Sequence, residues 1–276
     1  FFMHTTTGGA ASVLGWMEHW LQTEWPELEV YLTSVTDHWA TAAVVGPNSR
    51  KVVSSAVTGI DFDREAFPFM TSREGTLDGI PVTVNRISFS GELAYEVNIS
   101  ANFGRMAWEK LMLAGEPYQI TPYGTESMHV LRAEKGYVIV GQDTDGSVTP
   151  VDLGMNWVLS KTKDFLGRRS LARADCLREG RKQLVGLLTT DPKEVLPEGG
   201  QIVNNADKVI PIAMVGHVTS SYYSACLGRS IAMAVVKGGH SRIGETVYIA
   251  LTDGRMIPAE IGSSVFYDPK GERQDV

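Results

Sequence analysis

The chain has 276 residues, 43% of them hydrophobic and 21% charged, with a formal net charge of −7. That length and balance suit a folded protein of two domains, or one domain with two subdomains. The acidic charge argues against nucleic acid or an anionic membrane as main partner, and no apolar run is long enough to span a bilayer as a helix.

Phe1-Phe2-Met3-His4-Thr5-Thr6-Thr7 reads as a strand interior followed by a Gly8-Gly9 turn, so the chain is expected to be a fragment whose first strand pairs with strands ahead of it. Residues 10–23 have the spacing of an amphipathic helix with Val13, Leu14, Met17, Trp20 and Leu21 inward. Residues 38–45 read as a strand, and Gly46-Pro47 turns it into a helix beginning near Asn48. A second strand is expected over 82–88. The turn Phe89-Ser90-Gly91-Glu92 then feeds a third over 93–99, which alternates strictly. Leu93, Tyr95, Val97 and Ile99 fall on one face, and Glu92, Ala94, Glu96 and Asn98 on the other. Two carboxylates and an amide thus share a face, either wet surface or the floor of a polar pocket. Residues 103–114 are helical by pattern.

Thr121 is a plausible N-cap and Pro122 suits the first helical position. Tyr123, Ser127, Val130, Leu131 and Glu134 follow helical spacing to a stop at Gly136, with Met128 and Arg132 four apart on a neighbouring face. The composition shifts to charge over 173–182. Short strand-like runs follow at 184–188, 210–215, 230–236, 246–251 and 256–261, separated by Gly and Pro turns, the pattern of a small β-barrel or sandwich. The expected organisation is α+β: a first domain over 1–172, a linker over 173–183 and an all-β domain over 184–276.

Cys176 and Cys226 are too few and too far apart for a disulfide framework and read as free thiols of a reducing cytosol. The six histidines show no pairing at metal-ligand spacing, and no Gly-x-Gly-x-x-Gly follows a strand. A zinc site and a Rossmann-type FAD or NAD site are therefore not expected.

Several motifs resemble one family in its order and spacing: Gly91-Glu92, Tyr95-Glu96, Leu131-Arg132-Ala133-Glu134-Lys135-Gly136, Thr149-Pro150, Asp164-Phe165-Leu166-Gly167-Arg168, and Gly216-His217-Val218-Thr219-Ser220. They are similar to those of the folate-binding aminomethyltransferases, whose best-known member is the T-protein of the glycine cleavage system. Tyr123-Gly124-Thr125-Glu126 and Val140-Gly141-Gln142-Asp143-Thr144-Asp145-Gly146 resemble the branch found at the C-terminal end of heterotetrameric sarcosine oxidase alpha subunits. Met128 stands where stand-alone T-proteins carry a basic residue. The resemblance implies an N-terminally incomplete aminomethyltransferase-like domain followed by a C-terminal β-barrel. Two departures stand out. The family's tyrosine in the glycine turn corresponds to Phe89, which has no hydroxyl, and the family's Asp near the reacting folate nitrogen lies upstream of this chain.

The resemblance also implies tetrahydrofolate as ligand, with FAD, FMN and NAD on other parts of a hetero-oligomeric oxidase that includes further subunits. Glu96, by itself, is either a solvated glutamate or a carboxylate that accepts paired N–H donors, the fork geometry a pterin's amidine-like edge offers. The resemblance favours the second, with Asn98 adding a contact. Arg132 is either a cation for the folate glutamate tail or the partner of an internal carboxylate. Trp157 is either a core residue or a flat surface for the pterin or p-aminobenzoyl ring, and Phe89 could stack in the same way. The catalytic residue is expected outside the chain. The other readings left open are a non-catalytic folate-binding or subunit-docking module, and the folate part of an enzyme that acts on dimethylglycine instead of sarcosine.

Overall fold

The structure, a computed structural model, describes residues 1–207 and 211–276. They form two compact units, Phe1–Ser88 with Leu93–Thr121, and Phe89–Glu92 with Pro122–Val276. Among the described residues no helix is long and apolar enough to cross a membrane.

The first unit contains α1 (Ala10–Thr23), β1 (Trp39–Val45), α2 (Ser49–Ala56), β2 (Val57–Thr58), β3 (Thr71–Leu77), β4 (Ile80–Arg86), β5 (Ala94–Ser100) and α3 (Gly104–Gly115). The strands make one antiparallel sheet in the order β1-β5-β4-β3-β2. The alternation of β5 is realised as expected. Leu93, Tyr95, Val97 and Ile99 are buried in an apolar core with Val52 and Val53 of α2 and Leu111 of α3. Phe62, Phe67 and Tyr95 pack edge-on or tilted, with ring centroids 5.6–5.8 Å apart.

Three local expectations are corrected here. Residues 1–6 form no strand, and Thr7–Gly9 is a single 3₁₀ turn. Helix α1 has the expected bounds but buries no residue: Leu14, Met17, Trp20 and Leu21 are half-buried and Val13 is exposed, and Val13, Leu14 and Met17 line a cavity. The strand expected over 82–88 begins at Ile80, since Asp78-Gly79, both with positive φ, form a two-residue hairpin loop that pairs Leu77 with Ile80. Asp-Gly between Leu77 and Ile80 is a hairpin signal that the sequence carried.

The second unit contains α4 (Thr125–Glu134), α5 (Ala174–Leu177), β6 (Lys182–Thr189), β7 (Gln201–Val203), β8 (Met214–Ser224), β9 (Arg229–Lys237), β10 (Thr246–Ala250) and β11 (Met256–Gly262). The six strands close a barrel in the order β10-β11-β6-β9-β8-β7, with β7 paired to β10. Strand β9 is buried on both faces. Ala232, Ala234 and Val236 fill the barrel, while Ile231, Met233 and Val235 cluster with Ala133 of α4. This explains its unbroken apolar run.

Helix α4 starts at Thr125, four residues after the expected cap, because Gly124 holds extended backbone with ψ 179°. It stops as expected. Gly136 has φ +68°, its N–H donates to the Ala133 carbonyl, and the Tyr137 N–H donates to the Arg132 carbonyl, a Schellman closure. Lys182 and Gln183, expected in a linker, open β6, and Arg181 is buried against Asp152. Of the strand expected over 210–215, Ile210 lies outside the described residues and β8 begins at Met214. Strand β7, three residues long, was not foreseen because so short a run shows no period.

Gly186 of β6 has no room for a side chain: a Cβ there would overlap the Ser263 carbonyl oxygen and the Phe266 ring. Gly186→Ala is expected to destabilise the chain by about 2–3 kcal/mol, the overpacking range. Urea unfolding measures it, and a loss below about 0.5 kcal/mol would show that the 263–266 segment yields freely.

Candidate functional site

Pairing of β5 with β1 and β4 builds a polar face in the first unit. Glu96 lies opposite Ala43 and Asn85, and Asn98 opposite Thr41 and Thr83. The Thr41 hydroxyl donates to Asn98 Oδ1 at 2.7 Å. Asn98 Nδ2 donates to the Thr83 carbonyl at 3.1 Å and to the Glu96 carbonyl at 3.2 Å. The amide is buried and both its hydrogens are directed at backbone, so its orientation is set; the remaining lone pair of Oδ1 is what it can offer a ligand.

Glu96 is different. It is half-buried, and among the described residues no donor is hydrogen-bonded to its carboxylate. Burial pushes its pKa above the ordinary 4.5, opposed by the nearby charge of His4. A desolvated carboxylate without donors is costly in a folded protein unless something else supplies them. Two small neighbours, Ala94 on its own strand and Ala43 across the pair, leave space around it.

The same face borders a cavity of about 650 Å³. Its polar wall includes His4, Thr41 and Asn98, and its apolar wall includes Leu14, Met17 and Trp39. Apolar side chains and converging polar groups contribute about equally to its wall, a mixture that a small molecule with both ring and polar atoms can use. His4, Thr41 and Trp39 were not among the expected site residues. Thr41 reaches Asn98 only through a pairing 57 residues apart in sequence, and no local pattern announces that.

The other expected site residues belong to the second unit. Phe89 sits 44% exposed on the turn before β5. Trp157 is not a core residue: it is 79% exposed in the 3₁₀ turn Asn156–Val158. Both rings are open for stacking. Arg132 is corrected as a candidate for the folate tail. Its side chain has no exposed surface and is held by an internal acid: Nη1 donates to Asp143 Oδ2 at 2.5 Å and Nη2 to the Ser220 hydroxyl at 2.6 Å. Asp143 also accepts from the Thr219 and Ser220 hydroxyls and the Ile139 N–H. Of the two roles open to Arg132, this is the internal-carboxylate one.

The Thr149-Pro150 motif is likewise structural. Asp152 accepts from the Thr149 N–H and hydroxyl at 2.7 and 2.9 Å and from Arg181 Nη2 at 2.7 Å. Burial alone would push its pKa up; the Arg181 and Thr149 hydrogen bonds outweigh that and hold it below the ordinary carboxylate value.

Residues 1–163 match the model of the GCVT N-terminal domain, and residues 182–268 that of the glycine cleavage T-protein C-terminal barrel domain. The chain belongs to the glycine cleavage T-protein family. It is similar to the sarcosine oxidase subunit alpha of Corynebacterium sp. (strain P-1), 54% identical over 280 residues that cover all of this chain and 29% of that protein. The subunit alpha of Corynebacterium sp. (strain U-96) is 52% identical over 279 residues, again 29% of its length. The chain thus spans under a third of the length of these two relatives. The crystal structure of the glycine cleavage system aminomethyltransferase T from Bartonella henselae superposes with a TM-score of 0.78 at 21% identity, covering 95% of this chain and 67% of that one. At that identity the likeness is one of fold. The α+β architecture ending in a closed barrel is therefore the T-protein family's own.

Proposed function

We propose that this chain is the folate-binding part of a sarcosine oxidase alpha subunit within a hetero-oligomeric enzyme. It would hold tetrahydrofolate so that the one-carbon unit of oxidised sarcosine is captured as 5,10-methylenetetrahydrofolate. The observation that carries this reading is the half-buried Glu96 carboxylate that lacks a donor, on the strand face whose Asn98 lines a cavity of small-molecule size. A pterin's amidine-like edge has the two parallel N–H donors this carboxylate lacks, so the residues fit the ligand. Asn98, fixed by Thr41 and Thr83, would add an acceptor, and Trp39 is an aromatic surface for the rings; in the second unit, Phe89 and Trp157 are exposed aromatic rings suited to stacking.

Tetrahydrofolate supplies the nucleophilic nitrogen, N5. The chain's part is to hold and orient it, which raises its effective concentration at the electrophilic carbon by orders of magnitude. Oxidation of the amine, with its FAD, FMN and NAD, belongs to other parts of the intact enzyme. The similarity to two sarcosine oxidase alpha subunits supports sarcosine over dimethylglycine as the amine and further oxidase subunits as partners.

Glu96→Ala is expected to weaken tetrahydrofolate binding by about 1.5–3 kcal/mol, the range for hydrogen bonds to a charged group. Anaerobic calorimetric titration measures it, and unchanged affinity removes Glu96 from the site. The pH dependence follows from the direction of its shift. Only the carboxylate accepts the pterin donors, so affinity should decline on acidification at a pH above the ordinary 4.5, and Glu96→Gln should flatten that decline. For the unliganded chain the sign is opposite. A raised carboxyl pKa contributes stability that is full below the unfolded value and lost as pH rises through the folded one.

A further inference from the structure

A C-terminal strap, residues 266–274, is tied to the Phe89–Glu92 turn through one continuous series of contacts in the second unit. It begins at the end of α4, where the Phe266 and Tyr267 N–H groups both donate to the Glu134 carbonyl at 2.9 Å. The next residue, Lys135, is 6% exposed, and its Nζ donates to Asp268 Oδ2 at 2.8 Å and to the Asp268 carbonyl at 2.7 Å. Asp268 in turn accepts from the Glu272 and Arg273 N–H groups at 3.0 and 3.1 Å. These bonds close the last 3₁₀ turn, Glu272–Asp275.

That turn aims Arg273. Its Nε donates to Glu92 Oε1 at 2.9 Å and Oε2 at 3.2 Å, and its guanidinium lies 5.3 Å from the centroid of the Tyr267 ring. A second grip acts on the same turn from Lys135. A Cβ at Gly91 would overlap the lysine's Cγ and crowd its Cε. That side chain is pinned at its far end by Asp268, so it cannot swing aside without breaking an ion pair. The Gly-Glu motif thus has a physical reason at both positions: glycine lets the Lys135 stem lie flat on the turn, and glutamate anchors Arg273.

We propose that the strap is a positioning clamp for the stacking residue Phe89, with Lys135, Asp268 and Arg273 as positioning residues. Through Gly91 and Glu92 they fix the turn that carries Phe89. The clamp's effect on ligand rests on the folate reading above; its grip on the turn does not. None of the three residues touches the ligand. Their contribution is to remove the freedom that a four-residue glycine turn would otherwise give to an aromatic stacking residue.

The test uses the full chain with Arg273→Ala, Arg273→Lys and the charge swap Glu92→Arg with Arg273→Glu. Hydrogen–deuterium exchange reads the turn directly, thermal unfolding reads overall stability, and calorimetry with tetrahydrofolate reads the site. In Arg273→Ala, exchange over 89–92 should quicken by about tenfold, as expected of a locally released segment. The tetrahydrofolate Kd should rise by about tenfold for a misplaced contact, with the unfolding midpoint within about 2 °C of wild type. Arg273→Lys should restore part of both effects, and the charge swap most of them.

Unchanged exchange in Arg273→Ala overturns the clamp. So does faster exchange with unaltered Kd, which would make the strap a structural fastening only. Failure of the wild-type chain to bind tetrahydrofolate overturns the folate reading instead, and the exchange comparison then decides the grip on the turn by itself. If Arg273→Ala unfolds, the swap replaces it: recovery of both readouts supports the clamp, and persistent loss of turn protection in a folded swap counts against it.

Discussion

Asp143→Ala is expected to lower the unfolding free energy by about 3–5 kcal/mol, the cost of removing one member of a buried ion pair. Arg132 and Asp143 both have 0% exposed side chains, and the carboxylate gathers four donors: Arg132, the Thr219 and Ser220 hydroxyls and the Ile139 N–H. Alanine would leave the guanidinium charged, dry and short of its main acceptor, while the Ser220 hydroxyl and the Ile139 N–H lose theirs and the Thr219 hydroxyl keeps only the Met233 carbonyl. The cost is therefore the desolvation of stranded groups more than the worth of the pair itself. Arg132→Met with Asp143→Leu, which removes both charges and keeps apolar volume, should recover much of the loss. Urea unfolding of the three chains measures this. A loss below about 1 kcal/mol for Asp143→Ala would mean that water reaches the pair, and its burial would have to be abandoned.

The second large effect concerns product partition. In an intact oxidase carrying this chain, Glu96→Ala is expected to shift the carbon of oxidised sarcosine from 5,10-methylenetetrahydrofolate toward formaldehyde by about tenfold or more at sub-saturating tetrahydrofolate. This is the partition expected for a loss of about 1.5–3 kcal/mol in binding. Where no N5 is held in place, water adds to the iminium carbon and the adduct breaks down to formaldehyde and glycine. Held N5 outcompetes water only through orientation and effective concentration, so weaker holding favours hydrolysis. The assay follows sarcosine consumption and both one-carbon products in wild type and Glu96→Ala. If a folded variant stops consuming sarcosine, Glu96 belongs to the amine site and the folate assignment fails. If the partition is unmoved, the carboxylate does not hold the pterin.

Much of this was legible from residues alone, and particular elements show why. The period-two alternation of β5 put Glu96 and Asn98 on one face, because a strand's side chains alternate whatever surrounds them. Gly136 marked the end of α4, since its positive φ suits glycine. The apolar runs between turns announced the barrel strands β6, β9, β10 and β11. The motif series Gly91-Glu92 through Gly216-His217 pointed to the T-protein family, and the family models bear that out.

What the tertiary structure decided was the fate of side chains whose surroundings come from distant segments. Arg132 and Trp157 exchanged places relative to ordinary expectation: the helix arginine is buried on Asp143, and the tryptophan is exposed. The lack of a donor for Glu96 became visible only once β1 and β4 had been laid beside β5, and Thr41 joined the polar face by the same pairing. The strap's hold on Gly91 and Glu92 spans up to 181 residues of sequence. Local backbone preferences and periodicity act over a few residues and so are written in the chain. Burial, donor satisfaction and ion pairing depend on which remote segments arrive, and the packed fold alone determines them.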